Sequence, residues 1–249
     1  MASRTAPVQD GRSRRGRRLV DAALVLAIVV LVAIAASVIV PVAMSEGEAS
    51  SLRGEMADGG LATVTEENPD VAAWVRVEGT PIDLPVMALR DSDPDGFYLS
   101  HGVDRTDSLE GVPFLDRRCT ADGQRVLVYG HHMLLMPQAV FSPVYDAWRQ
   151  SSFDGIGDLV WSTPAAGTVR LKKVMAMKVD KTYSSIQELD ATETDALREW
   201  ATGLLADADA KADGAEGTIS SCERVVTLVT CSNRLFGGQR ERTLLVFAG

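Results

Sequence analysis

Arg224–Gly249 reads RVVTLVTCSNRLFGGQRERTLLVFAG. Two apolar runs, Val225–Thr230 and Thr243–Phe247, are dense in Val, Leu, Thr and Phe, the residues that suit a pleated β-surface. Upstream the same pattern recurs in six further short runs: Trp74–Val77, Ile82–Met87, Val112–Leu115, Arg125–Tyr129, Asp158–Ser162 and Thr168–Val179. Turn signals at Glu78-Gly79, Asp122-Gly123 and Ala166-Gly167 separate many of them. Eight short strands with few long helices predict a mainly β domain, a sandwich or closed barrel. One helix is expected to interrupt them before the penultimate strand. Ile186–Lys211 is rich in Ala, Leu, Glu and Asp, and Leu189, Leu197, Trp200, Leu204 and Leu205 suit one apolar face. Its acidic tail, Asp207–Gly217, reads as loop, and a shorter helical piece is expected at Val144–Gln150.

The N-terminus is organised differently. Residues 1–45 hold six Arg and two acids, whereas residues 46–249 hold 19 basic and 32 acidic residues. An acidic domain repels phosphate backbones, which argues against a nucleic-acid partner. The arginines directly precede Ala22–Met44, an uncharged run interrupted by Ser37 and Pro41. A helix of about 20 apolar residues crosses a bilayer core, and basic flanks stay cytoplasmic. The expected organisation is a cytoplasmic basic tail at 1–18, a single-pass anchor at 19–45, a helical stalk at 46–73 and an extracellular domain at 74–249. A signal peptide cut near Ala43–Ser45 is the alternative, although its apolar core is usually shorter, roughly 7–15 residues. Asn68-Pro69-Asp70 reads as a helix start with Pro in the first turn.

Chemistry has few candidate residues. The histidines are His101, His131 and His132; the cysteines are Cys119, Cys222 and Cys231. Three cysteines outside the cytoplasm leave at least one unpaired, or paired between chains. A nucleophilic thiol needs a base beside it and a donor for the oxyanion or the substrate carbonyl. Cys231 ends the strand VVTLVTC, and His131 follows the strand RVLVYG; adjacent strand ends would bring them together. On these features alone a Cys after a strand is more often an inert small hydrophobe than a nucleophile. His101 is a candidate second base or a wall residue near the cleft. Asp116, Arg117 and Arg118 read as a solvated edge, the four Trp as core, and Tyr183 as a groove or core residue. Asn233 reads as a loop hydrogen-bonding residue that could also polarise the site. Cys119 and Cys222 read as buried free thiols, with a disulfide as the alternative. The histidines do not stand at zinc spacing with a Cys pair.

The surrounding words narrow the choice. YGHHM (Tyr129–Met133) resembles the YGH motif of sortases, and TLVTCS (Thr227–Ser232) resembles their TLxTC motif, with an Arg following before the last strand. NPDVAAWVRVEGTPIDLPVM (Asn68–Met87), FYLSH (Phe97–His101), GVPFLDRR (Gly111–Arg118) and a helix before the Cys strand resemble class B members. The resemblance covers roughly Glu67 to the C-terminus.

It implies an eight-stranded sortase-type β-barrel with N-terminal helices and a helical insertion, and a cysteine transpeptidase with catalytic His131, Cys231 and Arg242. Arg240 competes with Arg242, because the loop SNRLFGGQRE is one residue longer than the class B pattern; Arg234 is a weaker candidate. The implied reaction cleaves a sorting motif of secreted proteins, of an Asn-Pro type, through a Cys acyl-enzyme. The acyl group then passes to an amine of a peptidoglycan precursor. No metal or cofactor is implied. LLVFAG at the C-terminus lacks the apolar tail and basic stop of a sorting signal, so an enzyme is expected rather than a substrate. A pilin-polymerising sortase, a thiol hydrolase and a non-catalytic, membrane-anchored binding module are the rival readings.

Overall fold

The computed structural model describes residues 11–187, 194–231 and 240–249, with side chains at 11–18, 35–46 and 48–49 left out. Leu189, Asn233 and Arg234 therefore lie outside the described residues. Met1–Met44 makes a unit apart from Ser45–Gly249. Helix α1 spans Gly11–Glu67, with one non-helical residue, Gly60, at φ 73°. A residue without Cβ takes that conformation at no steric cost. In the first unit Leu19, Leu24, Val25 and Leu31 are exposed. Among the described residues no helix is long and apolar enough to cross a membrane; the run Ala22–Met44 continues into positions whose side chains are left out.

In the second unit Leu52, Leu61 and Val64 of α1 pack on Val71, Trp74, Met87, Tyr98, Val112 and Phe114. Asn68-Pro69-Asp70 ends the helix instead of opening one. The residue before a proline is disfavoured in the helical region, and the Asn68 side chain accepts the Asp70 N–H at 3.1 Å, closing a turn into β1.

The strands are β1 (Val71–Val77), β2 (Asp83–Met87), β3 (Phe114–Leu115), β4 (Arg125–Tyr129), β5 (Leu159–Thr163), β6 (Gly167–Asp180), β7 (Ala210–Lys211), β8 (Val225–Cys231) and β9 (Glu241–Ala248). Eight of them close a ring in the order β5-β1-β2-β3-β4-β8-β9-β6, sealed by β6 pairing with β5. The two-residue β7 adds to β6 outside the ring. Only β2–β3 and β4–β8 are parallel among these pairs. The eight expected strands are thus the eight staves of a closed barrel, an arrangement that removes exposed sheet edges.

Helix placement departs from the sequence reading. Ile186–Lys211 is not one helix. Ser184–Gln187 is a 3₁₀ turn, α3 covers Thr194–Ala206, and the expected loop after it holds β7 and α4 (Ala215–Ser221). The aspartates at the helix end are engaged elsewhere: Asp207 accepts the Tyr183 hydroxyl at 2.8 Å, and Asp209 accepts the Lys178 N–H of β6 at 2.8 Å. Val144–Gln150 is likewise replaced by a 3₁₀ turn at Ser142–Val144 and helix α2 at Gln150–Asp154.

The central strands are buried on both faces, which explains their unbroken apolar sequence. Val226 and Leu228 of β8 and Leu245 and Phe247 of β9 fill the barrel interior. Val225 and Val229 of β8 and Leu244 and Val246 of β9 face outward, under Leu197, Ala201, Leu204 and Leu205 of α3 and Ile219 of α4.

Candidate active site

Strand parity places the site. In β8, Cys231 shares the outward face with Val225 and Val229; in β9, Arg242 shares it with Leu244 and Val246, because side chains alternate with a period of two. Cys231 and Arg242 are opposite one another in the antiparallel β8–β9 register. On the other flank β4 runs parallel to β8 with Tyr129 opposite Val229, and the Gly130 N–H donates to the Val229 carbonyl at 3.1 Å. His131 stands two residues past Tyr129, as Cys231 stands two past Val229. Gly130 is needed between them: a Cβ there would lie 2.5 Å from the ring of Phe141, which is fully buried.

His131, Cys231 and Arg242 accordingly line one cleft of about 710 Å³, together with Leu89, Leu99, Phe114, Tyr129 and Thr230. Cys231 is half-buried and its thiol is free. Burial lowers the affinity of the His131 ring for a proton, against a hydrogen bond to the Leu99 backbone that favours the protonated form. The Arg242 guanidinium donates to the Glu241 carbonyl at 3.0 Å. Arg240 is absent from the lining; its side chain is 83% exposed and stands 3.9 Å from Asp180.

No family model matches the chain. Over 86 residues, 34% of its length, the chain is 29% identical to sortase B of Listeria monocytogenes, and the match spans only 33% of that relative. A mutant form of Clostridium perfringens sortase B superposes with a TM-score of 0.66 at 21% identity, covering 81% of this chain and 96% of that one. A Staphylococcus aureus sortase B–substrate complex gives 0.67 at 18% identity, covering 82% and 95%. The fold is that of the class B sortases.

In this sortase fold the wall beside the thiol is polar, which the sequence reading missed. Asp116, Arg117 and Arg118 line the cleft; the two arginines are exposed, as a solvated edge would be, whereas Asp116 is half-buried. Strand β3 is only two residues long, so the chain turns toward the cleft immediately after Leu115. Arg118 grips Asp116 with Nε at 2.8 Å and a terminal nitrogen at 2.7 Å, and the Tyr129 hydroxyl donates to Asp116 at 3.2 Å. Burial would raise the Asp116 carboxyl, but the Arg118 fork outweighs it and holds the group below the ordinary carboxylate range. Burial, then the Asp116 charge, push Tyr129 up to about 12. The available signal was an Asp-Arg-Arg run directly after a strand that pairs with the histidine strand.

The remaining candidates stand apart from the cleft. His101 donates from Nδ1 to the Phe97 carbonyl at 2.7 Å and stacks on the Phe97 ring at 3.8 Å. His132 stacks on Tyr145 at 4.4 Å. Cys119 and Cys222 are free thiols, the first half-buried and the second buried, and burial pushes both above the ordinary thiol range. Tyr183 packs at the edge of the α3 cluster. Trp74 and Trp161 are core, whereas Trp148 and Trp200 are half-buried beneath the cations of Lys178 and Arg125.

Proposed function

We propose that the chain is a sortase transpeptidase that joins a secreted protein to an amine through a thioester on Cys231. The observation that carries this reading is the meeting of thiol, imidazole and guanidinium in one cleft at the ends of three neighbouring strands. In the resting enzyme a depressed His131 favours the neutral ring, which suits a base that accepts the Cys231 proton. The thiolate then attacks the carbonyl of a Thr in the sorting motif. Arg242 donates to the oxyanion, a task that fits its planar fork. As the tetrahedral intermediate collapses, the C–N bond breaks and His131, now imidazolium, protonates the departing amine. An incoming amine loses its proton to His131, attacks the thioester and restores the thiol.

The substrate in this reading is a secreted protein with an Asn-Pro type motif, and the acceptor is an amine of a peptidoglycan precursor. Residues 19–45 hold the enzyme in the membrane by a single pass, with 1–18 inside and the catalytic domain outside. Support comes from the uncharged run Ala22–Met44 behind an arginine-rich tail.

The test is intact-mass analysis of the full chain incubated with a peptide library. A covalent adduct is expected on the wild type and absent from Cys231→Ala, and added amine is expected to convert it to a ligated peptide. No adduct, together with a Cys231 alkylation rate no faster than that of an ordinary thiol, overturns the reading in favour of a binding module. Resolution by water alone identifies a hydrolase; resolution by a pilin lysine identifies a polymerase.

A further inference from the structure

The cleft wall that faces His131 includes a segment that is not a strand. Phe97–Leu99 is a single 3₁₀ turn, entered through Gly96 at φ 77°. Leu99 lines the cleft together with His131, and its backbone carbonyl favours the protonated form of that ring. The backbone of the turn is tied to the following segment by the Val112 N–H, which donates to the Tyr98 carbonyl at 3.0 Å. The side chains of the turn are held by Arg105, whose backbone takes a positive φ of 69°. The Arg105 guanidinium donates to Asp70 at 3.0 Å, to the Tyr98 hydroxyl at 3.0 Å and to Asp93 at 2.5 Å. Its carbon lies 4.4 Å from the centre of the Phe97 ring. The Asp93 side chain is 4% exposed and the Asp70 side chain 10%.

We propose that Arg105 is a positioning residue: by clamping Asp93, Asp70, Tyr98 and Phe97 it holds the Phe97–Leu99 turn, so that the Leu99 carbonyl fixes the ring of His131. The inference rests on the transpeptidase reading for its kinetic consequence. Arg105 does not line the cleft and acts only through the turn. Without its charge Asp70 keeps the half-exposed Arg90 and the Tyr98 hydroxyl, but Asp93 keeps only the Arg90 backbone N–H and loses its cation. Leaving the buried Asp93 carboxylate without a cation is unfavourable, so the turn would rearrange. Gly111 shows how closely the turn is seated: a Cβ there would lie 2.2 Å from the Tyr98 carbonyl oxygen and 2.8 Å from that of Leu99. The other ionisable groups facing the His131 end of the cleft are Cys231 from β8, Arg242 from β9 and Tyr129 from β4. Asp95, Asp116, Arg117 and Arg118 come from the loops.

The test compares Arg105→Met, Arg105→Lys and Tyr98→Phe in the full chain. Its readouts are thermal melting, kcat and KM with a peptide substrate, and NMR titration of the His131 imidazole. For Arg105→Met, kcat is expected to fall roughly tenfold to a hundredfold, the scale of a small misplacement of a reacting group, with KM within about twofold. The His131 pKa is expected to fall further, because the lost carbonyl bond favoured the protonated ring. Arg105→Lys should recover part of both effects, and Tyr98→Phe should show a smaller shift in the same direction. Should Arg105→Met fail to fold, the other two variants decide. A lower melting temperature with unchanged kcat, KM and His131 titration overturns the inference. The titration needs no turnover. A wild type that forms no acyl-enzyme therefore defeats the transpeptidase reading, while an unmoved titration in the variants defeats the positioning role.

Discussion

At the scale of single residues, two arginines separated by one position have different fates. Arg242 faces the cleft opposite Cys231, and Arg240 points to solvent beside Asp180. If Arg242 supplies the oxyanion donor, Arg242→Lys should lower kcat/KM by about 10²-fold or more, the range for removing one such donor, because an ammonium cannot reproduce the fork. Arg240→Lys should stay within about twofold. Equal losses from both would point to a shared structural role. Gly111→Ala makes a second prediction. Its φ of 62° and the two carbonyl oxygens within 2.8 Å of a modest Cβ leave no unstrained placement. A loss of about 1–3 kcal/mol in stability is expected, read by urea titration. Cys231 and His131 were legible because each follows an apolar strand, and Arg242 because the family resemblance places an Arg at the start of the last strand. That resemblance preferred Arg242 and kept Arg240 as a competitor, since residues two apart share strand parity and only the start of β9 at Glu241 separates them. Asp116 and Arg118 were illegible for a related reason: charge beside a strand looks the same whether the chain turns outward or into a cleft.

At the scale of elements, strands were more legible than helices. The central strands β4, β8 and β9 read as nearly unbroken apolar runs because they are buried on both faces, whereas β6, exposed over much of its first half, was legible from its Val, Leu and Met after the Ala166-Gly167 turn. The insertion was misjudged because Ala, Leu and Asp satisfy helical periodicity across a stretch where Asp207 and Asp209 instead bond Tyr183 and β6. Proline at position 69 misled in the opposite sense, since it suits a helix start yet here follows a helix end. The part of the insertion that is helical, α3, covers the outer faces of β6, β8 and β9 through Leu197, Ala201, Leu204 and Leu205. Leu204 is 1% exposed, so Leu204→Ala should cost about 2–5 kcal/mol through lost burial and the cavity left behind. No α3 residue lines the cleft, so activity per folded molecule should be unchanged. A fall in kcat at a temperature where the variant is fully folded would show that α3 reaches the site.

For the whole molecule, the titratable groups set a window of greatest stability. Burial depresses His131, so the folded state resists protonation, and stability present above the ordinary His value near 6.5 is lost as pH falls through the depressed one. Asp93 and Asp158 are depressed as well, Asp93 chiefly by Arg105; for Asp158 burial pushes upward, but Lys172, the Lys173 N–H and Arg170 together outweigh it. Their contribution is present above the ordinary carboxylate range and is lost on further acidification. At the alkaline end the signs reverse. Burial raises the Cys119 and Cys222 thiols, and it pushes Tyr98 up to about 12. Such groups stabilise the fold below their unfolded pKa values, and that stability is lost as pH rises through the folded ones. Urea midpoints measured from pH 3 to pH 11 should therefore form a plateau between about 6.5 and 8.5, the ordinary His and Cys values, with acid loss in two stages. His131→Gln should remove the upper acid stage, which carries a proton at the cleft. Asp93→Asn should shrink the lower one, which reports the clamp around Arg105. An optimum below pH 5, or an acid limb that neither variant alters, would show that the charges around the cleft are not coupled to folding as their burial and partners require.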